Sequence, residues 1–192
     1  MSFRSFLPPW LVALALLLVA VSPAAAATTR LVPADHPTIQ AAINAAASGD
    51  TIIVSDGTYT ENIDFKGKAI TVRSANGPTT TIIDGGNTSC VVRFVTGETA
   101  AAVLMGFTIQ RGFASATCGS EGAGIKVAHA SPTITGNIIT NNKGCDGIGI
   151  GVGVGSPLIQ NNVITWEKDY ETSAEHQIAP YLHCRARGDA DM

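Results

Sequence analysis

The fold is encoded most clearly in two related stretches, GAGIKVAHASPTITGNIIT at residues 122–140 and GIGIGVGVGSPLIQNNVIT at residues 147–165. Shifted by 25 positions, the two stretches are identical at ten of 19 positions, and the shared S-P-x-I-x-x-N-x-I-T keeps its register throughout. Self-similarity at a fixed period of this length is typical of proteins that stack one structural unit on the next. The chain is therefore expected to be a repeat protein.

Each unit contains three short strands separated by turns. Ile125 and Val127 alternate with polar or small residues, which is the period-2 pattern of a strand with one buried face. A Ser-Pro break separates the first strand from the second, and a turn at residues 136–137 separates the second from the third. Because so short a unit leaves no room for crossover helices, each turn of the chain must lay its strands beside those of the turn before. We predict an all-β fold, a right-handed single-stranded parallel β-helix that spans residues 28–165.

A weaker repeat extends the pattern towards the N-terminus. The sequence MGFTI at 105–109 aligns with TGNII at 135–139 at a shift of 30, and the extra residues fall in a loop at 112–119. Earlier strand-like pieces are separated by Asp-Gly, Asn-Gly and Gly-Gly turn signals. The same coiled architecture is therefore expected before residue 105.

Asn137 and Asn162 hold the same place in two consecutive units, at the second turn. A sharp bend between short sheets needs left-handed backbone, which Gly adopts freely and Asn tolerates best among the other residues. Stacked one coil apart, the two side chains could also hydrogen-bond along the helix axis. We predict a turn ladder for this pair; an ordinary turn role and ligand binding fit the same pattern.

Residues 38–48, TIQAAINAAAS, break the strand pattern. The apolar residues of this segment fall on one helical face: Ile39, Ala42, Ile43 and Ala46. Thr38 is a suitable N-cap and Gly49 a suitable stop. Since the first coil of a solenoid leaves an apolar end uncovered, we predict that this amphipathic helix is an N-terminal cap and not a partner-binding helix.

The same region resembles the opening of the pectin lyase-like superfamily. The motifs are T-I-Q-A-A-I-x-A-A from Thr38, G-D-T-I-x-V-x-x-G-T-Y-x-E-x-I from Gly49, and then K-x-I-T-V-R-S and T-I-I-D-G. The S-P-x-I repeats are similar to generic parallel β-helix repeats of secreted bacterial proteins, so the resemblance covers residues 36–165. It implies a capping helix followed by a right-handed parallel β-helix.

The resemblance transfers no catalytic residue to this chain. The superfamily includes pectinesterases, pectate lyases, polygalacturonases and coils with no known activity. G-T-Y-T-E at residues 57–61 is shared in form with pectinesterases, but those enzymes carry acid, base and arginine in later coils, around patterns such as D-F-I-F-G. Here Asp64-Phe65 is followed by Lys66-Gly67, and the polygalacturonase patterns N-T-D, G-H-G and R-I-K are absent.

Residues 1–27 have the composition of a secretory signal peptide. Arg4 precedes an apolar run at 10–21, and four alanines follow a Ser-Pro pair. The run is short for a bilayer span, so we predict cleavage after residue 26 or 27, no membrane span afterwards, and a secreted, periplasmic or cell-surface location. An uncleaved N-terminal anchor is the alternative.

The charge of the chain narrows the class of molecule that it could bind. Residues 28–165 carry 8 basic and 9 acidic side chains, which excludes the basic stripe of a nucleic-acid-binding protein. A polysaccharide or a cell-surface glycan remains a suitable partner, and the oligomeric state is not indicated. Four basic residues recur at spacings of 20, 18 and 15 and could form a cationic ladder for uronate groups: Arg73, Arg93, Arg111 and Lys126. The drift in spacing favours solvated surface charge instead.

The early coils contain three carboxylates that could cooperate, Asp56, Asp64 and Asp84. Paired acids could hydrolyse a glycosidic bond or hold calcium. Asp56 and Asp84, however, each precede a glycine in an ordinary turn signal. We assign no catalytic, cofactor-binding or metal residue, and calcium is the one cofactor that the sequence leaves open.

Four cysteines behind a signal-like segment favour disulfides over metal sites, and no C-x-x-C pair occurs. Cys118 and Cys145 lie in loops of consecutive coils, four and two residues ahead of matched glycines. We predict a disulfide between them, worth roughly 3–4 kcal/mol if it is unstrained. Cys90 and Cys184 stay unassigned.

The repeat ends at Thr165, and the composition changes there. Residues 166–192 contain nine Asp, Glu, Lys or Arg residues, against 17 in residues 28–165. His176, His183 and Cys184 lack a fourth ligand at zinc-site spacing. We predict a helical or disordered tail, or out-of-frame residues where a longer β-helix gene was interrupted.

Three functions fit these observations. The leading hypothesis is a secreted β-helix protein that binds a carbohydrate or a surface on a flat strand face, without catalysis in this chain. The second is an N-terminal fragment of a polysaccharide-active enzyme, related to pectinesterases or polysaccharide lyases, whose catalytic coils lie downstream. The third is a structural solenoid such as an adhesin stalk.

Overall fold

A computed structural model describes residues 26–114, 122–144, 148–165 and 168–169. Residues 168 and 169 are described by their backbone alone. The predicted signal segment up to residue 25 and the tail from residue 170 lie outside these ranges. Within them the chain forms one helix, α1 (Ile39–Ala45), and short strands in four parallel sheets. Sheet A contains β1 (Thr29–Val32), β2 (Thr51–Val54), β5 (Thr71–Ser74), β8 (Val103–Met105), β11 (Thr133–Thr135) and β15 (Leu158–Gln160). Sheet B contains β3 (Gly57–Thr60), β6 (Thr81–Asp84), β9 (Thr108–Gln110), β12 (Ile138–Thr140) and β16 (Val163–Thr165). Sheet C contains β4 (Ile63–Asp64), β7 (Val92–Phe94), β10 (Ile125–Val127) and β14 (Ile150–Val152), and sheet D contains β13 (Lys143–Gly144) and β17 (Lys168–Asp169).

From β2 onward, consecutive strands belong to different sheets, and each strand pairs in parallel with its equivalent one coil away. Ile125 pairs with Ile150, and Ile134 with Ile159, which reproduces the sequence repeat in register. The weaker upstream repeat recurs in the pairing of β9 with β12. The predicted fold class, a parallel β-helix with an N-terminal helix, is confirmed.

The core consists of inward-facing side chains stacked from coil to coil. Alternate residues of each strand point inward, so that Ile83, Ile109 and Ile139 form one fully buried row on sheet B. Phe65 and Phe94 lie on the sheet C side of the core and stack with ring centroids 4.3 Å apart. The branched aliphatic residues of the repeat suit this pleated, one-sided burial.

The cap helix is shorter than predicted. Thr38 is its N-cap and accepts a hydrogen bond from the Ala41 N–H, as expected, but the helix ends at Ala45 because Ala46 takes an extended backbone conformation. Gly49 lies in the turn that follows, with φ +97°. A strand, β1, precedes the helix in the chain and pairs with β2.

Three side chains from the shared N-terminal motifs fasten the cap to the coils. The Glu61 carboxylate accepts hydrogen bonds from the N–H groups of Ile39 and Gln40, at 2.9 and 3.0 Å. The Lys68 ammonium donates to three carbonyl groups at the other end of α1, those of Ile43, Asn44 and Ala46. The Gln40 amide pairs with the backbone N–H and C=O of Asp64, as a neighbouring strand would. The motif residues Gln40, Glu61 and Lys68 therefore serve the fold.

Replacing Lys68 by methionine should lower the free energy of unfolding by about 2 kcal/mol, because hydrogen bonds to a charged group satisfy the last carbonyls of α1. Lys66→Met is the matched control, since the exposed Lys66 ammonium reaches only the Asn44 side chain. Urea unfolding of the two variants checks this, and equal losses would contradict the capping role.

Asp50 makes the free energy of unfolding depend on pH in the acidic range. The N–H groups of Ala47 and Thr28 bond to its buried carboxylate and lower its pKa, and the Arg30 guanidinium adds a smaller effect in the same direction. A carboxyl group with a depressed folded-state pKa stabilises the protein above its unfolded pKa of about 3.9, and this stability is lost as the pH falls through the folded value. Urea midpoints should therefore fall more steeply below about pH 4 in the wild type than in Asp50→Asn. Parallel pH profiles would contradict this assignment.

Candidate functional site

The outer face of sheet C carries a column of three charged side chains, Asp64, Arg93 and Lys126. They hold directly paired positions on three adjacent strands, β4, β7 and β10. Their strand neighbours point inward, so these three point outward. Neighbouring rungs of a sheet lie about 4.8 Å apart, and we call this row the sheet-C column.

Arg93 occupies the centre of the sheet-C column. Its Nε lies 3.9 Å from Asp64 Oδ2, and the Arg93 and Asp64 side chains are 38 and 27 % exposed. The Arg93 Nε is itself buried and forms no hydrogen bond within the described part of the protein. Since a guanidinium also carries four N–H donors on its two terminal nitrogens, the exposed part of Arg93 can donate to an external acceptor.

A second polar cluster lies on sheet B around Asp84. Gln110 Nε2 and Arg111 Nη1 bond to Asp84 Oδ2 at 3.1 and 3.3 Å, and the Gly86 N–H bonds to Oδ1 at 2.9 Å. The Asp84 side chain is nearly buried, whereas Arg111 is 47 % exposed. Both carboxylate oxygens are thus engaged within the protein. The sequence interpretation did not identify Gln110. This residue holds the position on β9 that Thr140 holds on β12, one coil later.

The four basic residues considered as a cationic ladder do not share a face. Arg73 lies on sheet A, between Ile53 and Met105, and Arg111 follows β9 of sheet B. Only Arg93 and Lys126 among the four are paired. The reason is that coil length varies, because residue 51 pairs with residue 71 whereas residue 92 pairs with residue 125. Basic residues at similar spacings along the chain therefore lie on different faces of the β-helix.

Every acidic side chain that the structure describes accepts a bond from the protein itself. Besides Asp50, Glu61 and Asp84, Glu98 is buried and accepts from the N–H groups of Gly67 and Thr96. The remaining acceptors are Asp35, Asp56 and Asp64. Within the described ranges, no group of three or more His, Cys, Asp or Glu side chains could hold a metal ion.

The Asn137 and Asn162 amides connect three coils. Asn137 Oδ1 accepts from the Phe107 N–H, and Asn137 Nδ2 donates to the Leu104 carbonyl. Asn162 Oδ1 in turn accepts from both the backbone N–H and the side chain of Asn137. The residue before each of these asparagines, Gly136 or Asn161, has the left-handed backbone conformation.

A third asparagine, Asn142, repeats this arrangement at a different corner of the coil. Its Oδ1 accepts from the Gly112 N–H, and its Nδ2 donates to the Ile109 carbonyl. The sequence interpretation did not single it out. The signal was present, because Asn141-Asn142 and Asn161-Asn162 are both Asn-Asn pairs whose first residue has positive φ.

Cys118 and Cys145 lie outside the described residues, so the disulfide predicted between them stays a prediction. Cys90 is fully buried and disulfide-bonded. Its partner is therefore one of the three cysteines outside the described ranges. If Cys118 and Cys145 pair with each other, Cys90 must pair with Cys184.

Comparison with known proteins found a structural likeness but no match by sequence. No protein-family model and no curated protein matches the chain. A solved structure of a pectin methylesterase variant in complex with a hexasaccharide resembles it, with 11 % sequence identity and a TM-score of 0.49. The match covers 80 % of this chain and 58 % of that one. The stacked parallel sheets and the N-terminal helix form a parallel β-helix with a helical cap. None of the helices in the described part of the chain has the length and apolar character needed to cross a membrane.

Proposed function

We propose that this chain is a secreted binding protein that holds an acidic polysaccharide along the sheet-C column, without catalysing its breakdown. The observation that carries the proposal is Arg93 at the centre of the column, a guanidinium whose side chain is 38 % exposed and whose buried Nε lies 3.9 Å from the Asp64 carboxylate, too far for a hydrogen bond. Arg recognises a carboxylate with two parallel N–H···O bonds. A uronate group is therefore the preferred ligand for this position.

The column also suits a polymer because its positions repeat along the helix axis. Asp64, Arg93 and Lys126 present charged groups on successive rungs, so a chain of sugars that runs along the axis meets one side chain after another. Asp64 beside Arg93 can accept bonds from sugar hydroxyls, while Arg93 engages a carboxylate. Partial exposure keeps the cost of desolvating these groups low.

The acidic side chains support the non-catalytic part of the proposal. Glycosidase chemistry needs two carboxyl groups positioned around the scissile bond. Each acidic side chain in the described ranges already accepts a bond from the protein, and those of Asp50, Asp84 and Glu98 are buried or nearly so. These groups hold turns, strand ends and the cap in place.

Affinity electrophoresis and calorimetry of the full chain on a polyuronate and on a neutral glucan test the proposal. We expect binding to the polyuronate that weakens with salt and falls about tenfold in Arg93→Gln, the loss of one charge-assisted contact. Arg73→Gln on sheet A is the matched control and should bind like the wild type. Equal losses in both variants, or release of methanol or reducing ends from the polymer by the wild-type chain, would contradict the proposal.

A further inference from the structure

The sequence contains one Asn-Gly pair, Asn76-Gly77, in the turn between β5 and β6. The backbone nitrogen that follows an asparagine can attack the carbon of the side-chain amide, and the attack is least hindered when the following residue is glycine, which has no Cβ. Gly77 has a φ of +102°, and a Cβ at this position would meet nothing within 4 Å. The peptide group at Gly77 is therefore sterically open to this reaction.

Two sets of hydrogen bonds restrain the pair. Asn76 Nδ2 donates to both carboxylate oxygens of Asp56, at 3.0 and 3.2 Å. The Gly77 N–H donates to Ser74 Oγ at 2.8 Å. The Gly77 nitrogen must leave Ser74, and the Asn76 amide must leave Asp56, before nitrogen and amide carbon can meet. These bonds therefore oppose the reaction, although Asn76 itself is exposed to water.

We propose that Asn76 is a site of spontaneous deamidation whose rate is set by Ser74 and Asp56. The Gly77 nitrogen bonds to Asn76 Cγ while the Cγ–Nδ2 bond breaks. The proton of the Gly77 nitrogen passes through solvent to Nδ2, which leaves as ammonia. Water then opens the five-membered imide at either of its two carbonyl carbons and gives aspartate or isoaspartate at position 76. One water molecule is consumed and one ammonia released.

The product replaces an amide donor that faces Asp56 with a second carboxylate. Asp56 directly precedes β3, Asn76 lies between β5 and β6, and β3 pairs with β6. The contact thus joins two consecutive coils at the corner between sheets A and B. Because like charges at hydrogen-bond distance repel, deamidation should weaken this corner. This inference is independent of the glycan-binding proposal, since it involves neither Arg93 nor the outer face of sheet C.

Peptide mass spectrometry of the full chain, incubated in a mildly alkaline buffer, tests the proposal. Asn76 should convert to a mixture of aspartate and isoaspartate, while the exposed Asn87, which precedes Thr88, stays unchanged. Ser74→Ala should react about fivefold faster than the wild type, because it lacks one hydrogen bond to the Gly77 nitrogen. Ser55→Ala removes an exposed hydroxyl from the neighbouring coil and is the matched control, with the rate of the wild type.

Two further variants test the role of Asp56. Asp56→Ala frees the Asn76 amide and should also react faster than the wild type, which keeps the proposal testable if Ser74→Ala does not fold. Asn76→Asp should unfold at a lower urea concentration than Asn76→Ala. This difference should disappear when Asp56→Ala is added to both.

Three results would overturn the proposal. Asn76 could stay unconverted in the wild type, in Ser74→Ala and in Asp56→Ala. Conversion at Asn76 could be no faster in Ser74→Ala and Asp56→Ala than in Ser55→Ala, which would mean that the two restraints do not set the rate. Asn76→Asp could be as stable as Asn76→Ala, which would exclude repulsion from Asp56 as a consequence of the reaction.

Discussion

Replacing Phe94 by alanine should lower the free energy of unfolding by about 3–5 kcal/mol, the usual cost of truncating a fully buried aromatic side chain. The Phe94 ring is completely buried and stacks on Phe65 of the preceding coil. The hydrogen-bond ladders of sheet C hold the strands on either side at fixed spacing. The coils therefore cannot collapse into the cavity, and the loss should lie near the upper end of this range.

Urea unfolding followed by circular dichroism measures this loss. Ile82→Ala is the matched control, because Ile82 points outward from sheet B and is only partly buried. We expect the control to lose about 1 kcal/mol or less. A loss in Phe94→Ala no larger than that of the control would mean that the interior of the coil repacks, contrary to the rigid stacking described above.

Replacing Asn137 by alanine should lower the free energy of unfolding by about 3 kcal/mol, because each buried backbone group left without a partner costs about 1–3 kcal/mol. The buried Asn137 amide satisfies two such groups, the Phe107 N–H and the Leu104 carbonyl. Asn137→Asp keeps the acceptor for Phe107 but loses the amide donor, so at neutral pH it should be no more stable than the alanine variant.

The Asn137 variants also separate the two roles considered for this residue. The exposed Asn76, whose amide bonds to Asp56, provides the control, and Asn76→Ala should lose less than about 1 kcal/mol. Thermal and urea unfolding of both alanine variants give the comparison. A folded, fully stable Asn137→Ala would exclude the ladder as a structural element and would favour a ligand-binding role.

The local features of this fold were predictable from single stretches of sequence. The alternation around Ile125 and the repeat that follows it predicted the strands and their register, because a strand's inward and outward positions alternate from one residue to the next. The helix at Ile39–Ala45 was predictable for the same reason, from its helical periodicity and the Thr38 cap. Its C-terminal end was not, since the carbonyls there bond to Lys68, which lies in a later coil.

The candidate site was predictable only in part. The sequence singled out Arg93 and Lys126 as basic residues, but it grouped them with Arg73 and Arg111 on the basis of similar spacings. Coils of unequal length assign Arg73 and Arg111 to other faces. The Nε of Arg93 that lacks an acceptor, and the carboxylates engaged by turns, became visible only with the coils stacked.

The difference between the features that the sequence predicted and those that it did not has a simple physical origin. Periodicity, turn residues and caps act over a few neighbouring residues, so the repeat from residue 122 to residue 165 was sufficient to predict a parallel β-helix. The contacts of Glu61, Lys68, Asn142 and Arg93 join groups that lie in different coils and far apart along the chain. Such contacts depend on the summed length of every loop between two coils. The identity of the outward side chains that meet on one face is therefore a property of the stacked chain and not of any segment within it.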